Sequence, residues 1–153
     1  MSTIRYKSQI ASTEPADPEV ALRHFEAKLG VETDPSDVHF DLTHAATGVV
    51  VLDARSPEAW AELRVPGALS LPHARIDAAA AEPLRGKVVV VYCWAASCNA
   101  STKAARRLAA LGVRVKEMIG GLDAWVREGY PTEGTLPEGT AFDEYLRAHH
   151  SAG

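Results

Sequence analysis

The chain has 153 residues, 46% of them hydrophobic and 24% charged, with a formal net charge of -4. This is the size of one globular domain with a real core, and its acids and bases are interspersed, so the basic stripe that a nucleic-acid or membrane-surface binder needs is missing. No apolar run approaches the roughly 18 residues of a membrane span, the opening MSTIRYKSQIASTEPADPE has no apolar centre of the signal-peptide kind, and two cysteines are too few for a secreted disulfide framework. A soluble, cytoplasmic protein is expected, with neither nucleic acid nor membrane as a partner.

Asp17 as N-cap and Pro18 at the first helical position open a helix that carries Ala21, Phe25 and Leu29 on one face and stops at Gly30. An amphipathic helix is costly to leave uncovered, so this face is expected to pack on the domain, with association as the alternative. Asp34 and Pro35 repeat the same start, with Val38 and Leu42 four residues apart. The run Val49 to Leu52 is continuous and apolar, as in a strand buried on both faces, and Ser56-Pro57-Glu58 opens a short helix bearing Trp60 and Leu63. Pro66-Gly67 turns the chain into a brief strand, and the alanines from Ala78 give a short helix.

Val88 to Tyr92 are continuous and mostly β-branched, the pattern of a central parallel strand. From about Asn99 to Leu111, a helix has Ala100, Ala104, Leu108 and Leu111 in one stripe, turns Lys103, Arg106 and Arg107 to water, and ends at Gly112. A strand near Val113 to Val115 leads through EMIGGLDAW into a helix with Leu122, Trp125 and Val126, closed by Gly129 and Pro131. TEGTLPEGT is read as a linker, and AFDEYLRAHHSAG as a terminal helix or a tail in which His149 and His150 have no role. The alternation gives an α/β fold, a mostly parallel central sheet flanked by helices. Residues 1–33 form a helical extension, 34–131 the domain, and 132–153 the linker and tail.

The stretch VVVVYCWAASCNASTKAA, from Val88 to Ala105, puts Cys93 at the carboxyl end of a strand, where open α/β sheets bind ligands. The loop from Trp94 to Cys98 is expected to gather backbone N–H groups into an anion cradle beside the positive end of the next helix. Such a field favours thiolate over thiol, lowers the cysteine pKa and makes a nucleophile.

Three segments together resemble the rhodanese-like domain family: VVVLDARSPEAWAELRVPGALSLP, VVVVYC and EMIGGLDAWVREGYP, in the family's order and spacing over roughly residues 35 to 131. The resemblance implies a three-layer rhodanese-like fold and a thiosulfate-type sulfurtransferase. In that chemistry a cysteine thiolate takes a sulfane sulfur from a donor such as thiosulfate, holds it as a persulfide, and passes it to a thiophilic acceptor. The acceptor is a thiol, cyanide or a protein, and no metal or organic cofactor is needed. By the same resemblance Cys93 is the nucleophile and Trp94, Ala95, Ala96, Ser97, Cys98 and Asn99 form the binding loop. Arg55 adds positive potential or braces the site, and Arg64 stands where many members have histidine; Asp53, at the end of its strand, is read as capping or bracing the turn in preference to acting as a base. This loop is about two residues longer than usual and has neither the usual glycine nor a basic residue.

Relatives of this fold that act as phosphatases or arsenate reductases close an arginine over the oxyanion, six positions after the cysteine. Here that position is Asn99 counted from Cys93 and Ala104 counted from Cys98, so such activity is disfavoured unless Lys103 or Arg106 reaches in. Cys98 is read as a small packing residue, as a resolving thiol that attacks an adduct on Cys93, or as the nucleophile itself. The histidines His24, His39, His44 and His73 fit no zinc spacing. Trp60 and Trp125 are assigned to the core, and Trp94 to a pocket wall or the surface. A Cys93–Cys98 thiol–disulfide switch and a catalytically silent binding module remain as alternatives to the transferase.

Overall fold

The computed structural model describes residues 5–150, so the first residues of the polar opening and the last three of the tail lie outside the described residues. The chain divides into two compact units, Met1–Gly30 and Val31–Gly153. The first carries a short 3-10 turn, Ile10–Ser12, and helix α1, Pro18–Val31, which runs one residue beyond Gly30.

The second unit is built on a five-stranded sheet in which each adjacent pair is parallel. Its strands are β1 (Glu32–Thr33), β2 (Val49–Asp53), β3 (Leu69–Ser70), β4 (Val88–Tyr92) and β5 (Arg114–Met118), in the order β1-β5-β4-β2-β3. Between them run α2 (Pro35–Thr43), α3 (Pro57–Glu62), α4 (Ala78–Ala81) and α5 (Ala100–Ala110), followed by α6 (Gly121–Arg127) and α7 (Phe142–His150). Two of the caps expected from sequence form: the Asp34 carboxylate accepts from Asp37 N–H at 2.9 Å, and the Ser56 hydroxyl accepts from Ala59 N–H at 3.2 Å. Leu63 lies just past α3, at its C-cap.

Successive side chains of β4 point to opposite faces. Val89 and Val91 pack with Ala104, Leu108 and Leu84 on one side, while Val90 and Tyr92 pack with Val38, Leu122 and Trp125 on the other. Two apolar cores therefore sandwich one sheet, giving the three-layer α/β architecture that the resemblance implies. Both faces of β4 are covered, which is why its sequence is apolar without alternation. Among the described residues, no helix is long and apolar enough to cross a membrane.

The structure departs from the sequence reading in three places. β5 begins at Arg114 and runs to Met118, past the expected end at Val115. β1, which reading the chain did not find, pairs Glu32 with Glu117 and Thr33 with Met118. Two polar residues carry no apolar periodicity, and only their pairing with β5 makes them a strand. The stretch read as a linker is fastened to the domain: Arg64 and Glu133 exchange both backbone hydrogen bonds, at 2.9 and 3.1 Å, and α7 buries Tyr145.

Candidate active site

The carboxyl ends of β2 and β4 are joined by buried polar groups. Asp53 and Arg55 are both fully enclosed, with Arg55 Nη2 2.7 Å from Asp53 Oδ2 and Arg55 Nε 3.0 Å from Oδ1. Arg55 also donates to the Leu63 carbonyl. Tyr92, the last residue of β4, donates its hydroxyl to Asp53 Oδ2 at 2.6 Å and accepts from Val65 N–H at 3.1 Å. Burial works against the charge of Arg55, but Asp53 more than offsets it and the guanidinium pKa lies above its ordinary value. Burial, and then the Asp53 charge, hold the Tyr92 phenol well above its usual range, so it serves as a proton donor. This network fixes the strand end from which Cys93 departs.

Helix α6 pins the other side of the same end. Its first turn donates Leu122 N–H to the Cys93 carbonyl at 2.9 Å and Asp123 N–H to the Trp94 carbonyl at 2.8 Å. The approach requires Gly121, with φ +60°: a Cβ there would lie 2.5 Å from the Cys93 oxygen and 2.9 Å from Ala95 N.

Cys93 itself is 1% exposed and ends against the first turn of α5. Its Sγ is 3.2 Å from the Cys98 carbonyl oxygen and 3.1 Å from Ser101 Oγ. Ser101 in turn donates to Glu117 Oε2 at 2.6 Å, and Thr102 donates to the same oxygen at 2.7 Å. Burial pushes the Cys93 thiol up to about 11, with the Ser101 hydrogen bond pulling the other way and the neighbouring Cys98 side chain adding to the rise. This reverses the lowered pKa expected from the helix dipole, because loss of water outweighs the dipole where the sulfur is enclosed. The expected cradle is also different in kind: the loop turns the Cys98 carbonyl to the sulfur, while Cys98 N–H is spent on Ala95 O at 3.0 Å.

Above the sulfur lies a cavity of about 310 Å³. Of the residues expected at the site, Cys93, Ala95, Ala96, Ser97, Cys98 and Asn99 line it, together with Ser101, Thr102, Glu32, Glu117 and the β5–α6 turn. Both cysteines are free thiols, Cys98 half-buried. Trp94 stands outside the cavity, its ring over the Arg55 guanidinium at 4.4 Å and stacked against His149 at 5.9 Å. Arg55 and Asp53 brace the strand end from behind and add no charge to the cavity lining. Arg64 is remote, paired with Glu133 and lying over Trp60. Lys103 and Arg106 line a separate hollow with His73 and Arg107, so neither supplies the cation missing from the loop. His149, assigned no role from sequence, packs on Tyr145 and Trp94. Among the described residues, no group of three or more His, Cys, Asp or Glu is placed to hold a metal.

Sequence reading missed Ser101, Thr102, Glu32 and Glu117. A signal for Glu117 was present: alternation along β5 from Val113 and Val115, which pack on the α5 core, places Glu117 on that same face at the strand's carboxyl end. For Glu32 no signal preceded the pairing of β1.

The match to known proteins agrees with this architecture. The model of the rhodanese-like domain matches residues 40–128. The chain is 42% identical to the BH2092 protein from Bacillus halodurans, with a TM-score of 0.76, over 78% of this chain and 88% of that one. It is 26% identical to the rhodanese-like domain of the Alr3790 protein from Anabaena sp., with a TM-score of 0.61, over 71% of this chain and 83% of that one. The thiosulfate sulfurtransferase from Pseudomonas aeruginosa shares the fold at 24% identity and a TM-score of 0.57, covering 76% of this chain but 21% of that longer one. No curated protein matches the chain. With the family model spanning more than half of its length and a parallel sheet whose central strand leads directly into Cys93, the chain belongs to the rhodanese-like domain family.

Proposed function

We propose that the protein is a sulfurtransferase that carries a sulfane sulfur on Cys93. The observation behind this reading is the enclosed Cys93 sulfur opening onto a cavity of about 310 Å³ at the first turn of α5. The cavity is at the small end of ligand sites, suited to a compact donor or to the tip of a protein-borne cysteine persulfide. Cys93 gives up its proton and its sulfur attacks the outer sulfur of the donor. The bond from that sulfur to the rest of the donor breaks, and the departing group leaves with the electron pair. An acceptor thiolate then attacks the outer sulfur of the Cys93 persulfide and Cys93 leaves as thiolate. The N-terminus of α5 and the Ser101 hydroxyl favour the negative charge that both steps place on sulfur.

A second reading is supported by Cys98, which lines the same cavity. Its thiol can attack the inner sulfur of the Cys93 persulfide, forming a Cys93–Cys98 disulfide and releasing hydrogen sulfide, with no other oxidant required. The test for both is intact mass under non-reducing conditions after exposure to thiosulfate and, separately, to an organic persulfide. Gain of one sulfur, lost in Cys93→Ser and kept in Cys98→Ser, is the transferase result. Loss of two hydrogens in the wild type, with the added sulfur stable only in Cys98→Ser, is the switch. No gain from either donor at any variant refutes the transferase.

A further inference from the structure

Resting on the reading of Cys93 as the sulfur-accepting nucleophile, the geometry points to Glu117 as the residue that selects the donor by charge. The site takes a sulfane-sulfur donor that carries an ammonium or guanidinium close to its reactive sulfur, and it turns away dianions such as thiosulfate.

The first ground is the composition of the cavity wall. Glu117 on β5 and Glu32 on β1 are register partners on adjacent strands, and both line the cavity. Among the described residues, no lysine, arginine or histidine lines it. A thiosulfate ion seated over Cys93 would bring two negative charges toward the Glu117 carboxylate in a cavity lined by no basic side chain. The cavity opens to solvent, so this repulsion acts on a reagent as it approaches and weakens as salt is raised.

The second ground is the direction of the hydrogen bonds. A serine hydroxyl has one proton, and that of Ser101 is committed to Glu117 Oε2 at 2.6 Å. Toward Cys93, Ser101 Oγ is therefore an acceptor. The Cys98 carbonyl oxygen, 3.2 Å from the sulfur, is an acceptor as well. With its hydroxyl proton taken by Glu117, Ser101 leaves the sulfur only its backbone N–H as a donor, against two oxygen acceptors and the loss of water, so in the resting site Glu117 favours Cys93 as the less reactive thiol.

A cation on the donor reverses this arrangement. Paired with Glu117, it weakens the carboxylate's hold on Ser101, while Thr102 keeps its own bond to Oε2 at 2.7 Å. The Ser101 hydroxyl then turns to donate to the Cys93 sulfur as that sulfur loses its proton. The balance closes without another reagent: Cys93–SH and R–S–SH give Cys93–S–SH and R–SH, the Cys93 proton ending on the departing thiolate. Glu117 is thus a positioning and specificity residue, and the donor activates the nucleophile that attacks it.

The test uses methanethiosulfonates on the full chain, one bearing a trimethylammonium-ethyl group and one a sulfonato-ethyl group. Rates at Cys93 are read by mass spectrometry, with fragment ions separating Cys93 from Cys98, and normalised to a small free thiol. The wild type should favour the cationic reagent over the anionic one by on the order of tenfold beyond the free thiol. Glu117→Gln should remove that preference by speeding the anionic reagent, and Glu117→Asp should restore part of it. In the wild type the preference should collapse as salt is raised, a readout that stands even if the Gln variant folds poorly. A wild-type ratio equal to that of the free thiol, a ratio insensitive to salt, or a folded Glu117→Gln with the wild-type ratio overturns the proposal. Such a result with sulfur still loaded on Cys93 by an organic persulfide overturns donor selection alone. The charge preference without loading by any donor refutes the transferase reading.

Discussion

Replacing Gly121 by alanine tests how the nucleophile is held. The new Cβ would meet the Cys93 oxygen at 2.5 Å and both Ala95 N and the Trp94 carbonyl carbon at 2.9 Å. All three are backbone atoms, so no rotamer change relieves the contact, and either α6 or the end of β4 must move. The move weakens the bonds from Leu122 and Asp123 N–H to the carbonyls of Cys93 and Trp94, at about 1 kcal/mol each. Holding alanine at φ +60° costs about 1 kcal/mol, and the overpacking adds at least about 1 kcal/mol. The sum is about 4 kcal/mol, which for a domain of this size lowers Tm by roughly 12 °C. Gly86 provides the control, because it has φ +76° and nothing within 4 Å of its Cβ position. Gly86→Ala should therefore lose only the conformational part, about 1 kcal/mol. Urea titration of the two variants measures the difference. Equal losses would refute the claim that close backbone approach, and not left-handed conformation alone, demands glycine at position 121. Gly121→Ala should also load less sulfur on Cys93 well below its Tm, since moving the Cys93 carbonyl re-aims the sulfur.

The raised Cys93 pKa fixes a pH dependence. With a value of about 11, the thiolate fraction at pH 7 is about one in ten thousand, so alkylation by neutral iodoacetamide should rise about tenfold per pH unit from 7 to 10. A plateau by pH 8 would show that the sulfur is already ionised. The same shift contributes stability that is fully present below the unfolded thiol pKa and is lost as pH rises toward the folded value near 11. Truncating Arg55 leaves the enclosed Asp53 without its cation, at a cost of about 3–5 kcal/mol in urea titration. Truncating Arg64 breaks a half-exposed pair with Glu133, worth no more than about 1 kcal/mol, and should leave sulfur loading on Cys93 unchanged. Comparable losses in the two variants would refute the assignment of Arg55 as the brace of the strand end.

The family's folding pattern was open to reading because its determinants are local. Capping residues such as Asp34 and Ser56, the unbroken apolar runs of β2 and β4, and the glycines around α6 act within a few residues of themselves. Cys93 could be placed for the same reason, as the residue that follows an unbroken apolar strand. What no local pattern carries is which elements meet. Glu32 and Glu117 lie far apart in sequence, and the two-residue β1 exists as a strand only through its register with β5. That pairing puts two carboxylates where an anion cradle was expected, while burial at the end of β2 makes Arg55 a partner for Asp53 in place of a cation for substrate. The protonation of Cys93 was likewise decided by enclosure. Sequence supplied the helix dipole that favours a thiolate, but the exclusion of water that opposes it arises only when α5, α6 and β5 close around the sulfur.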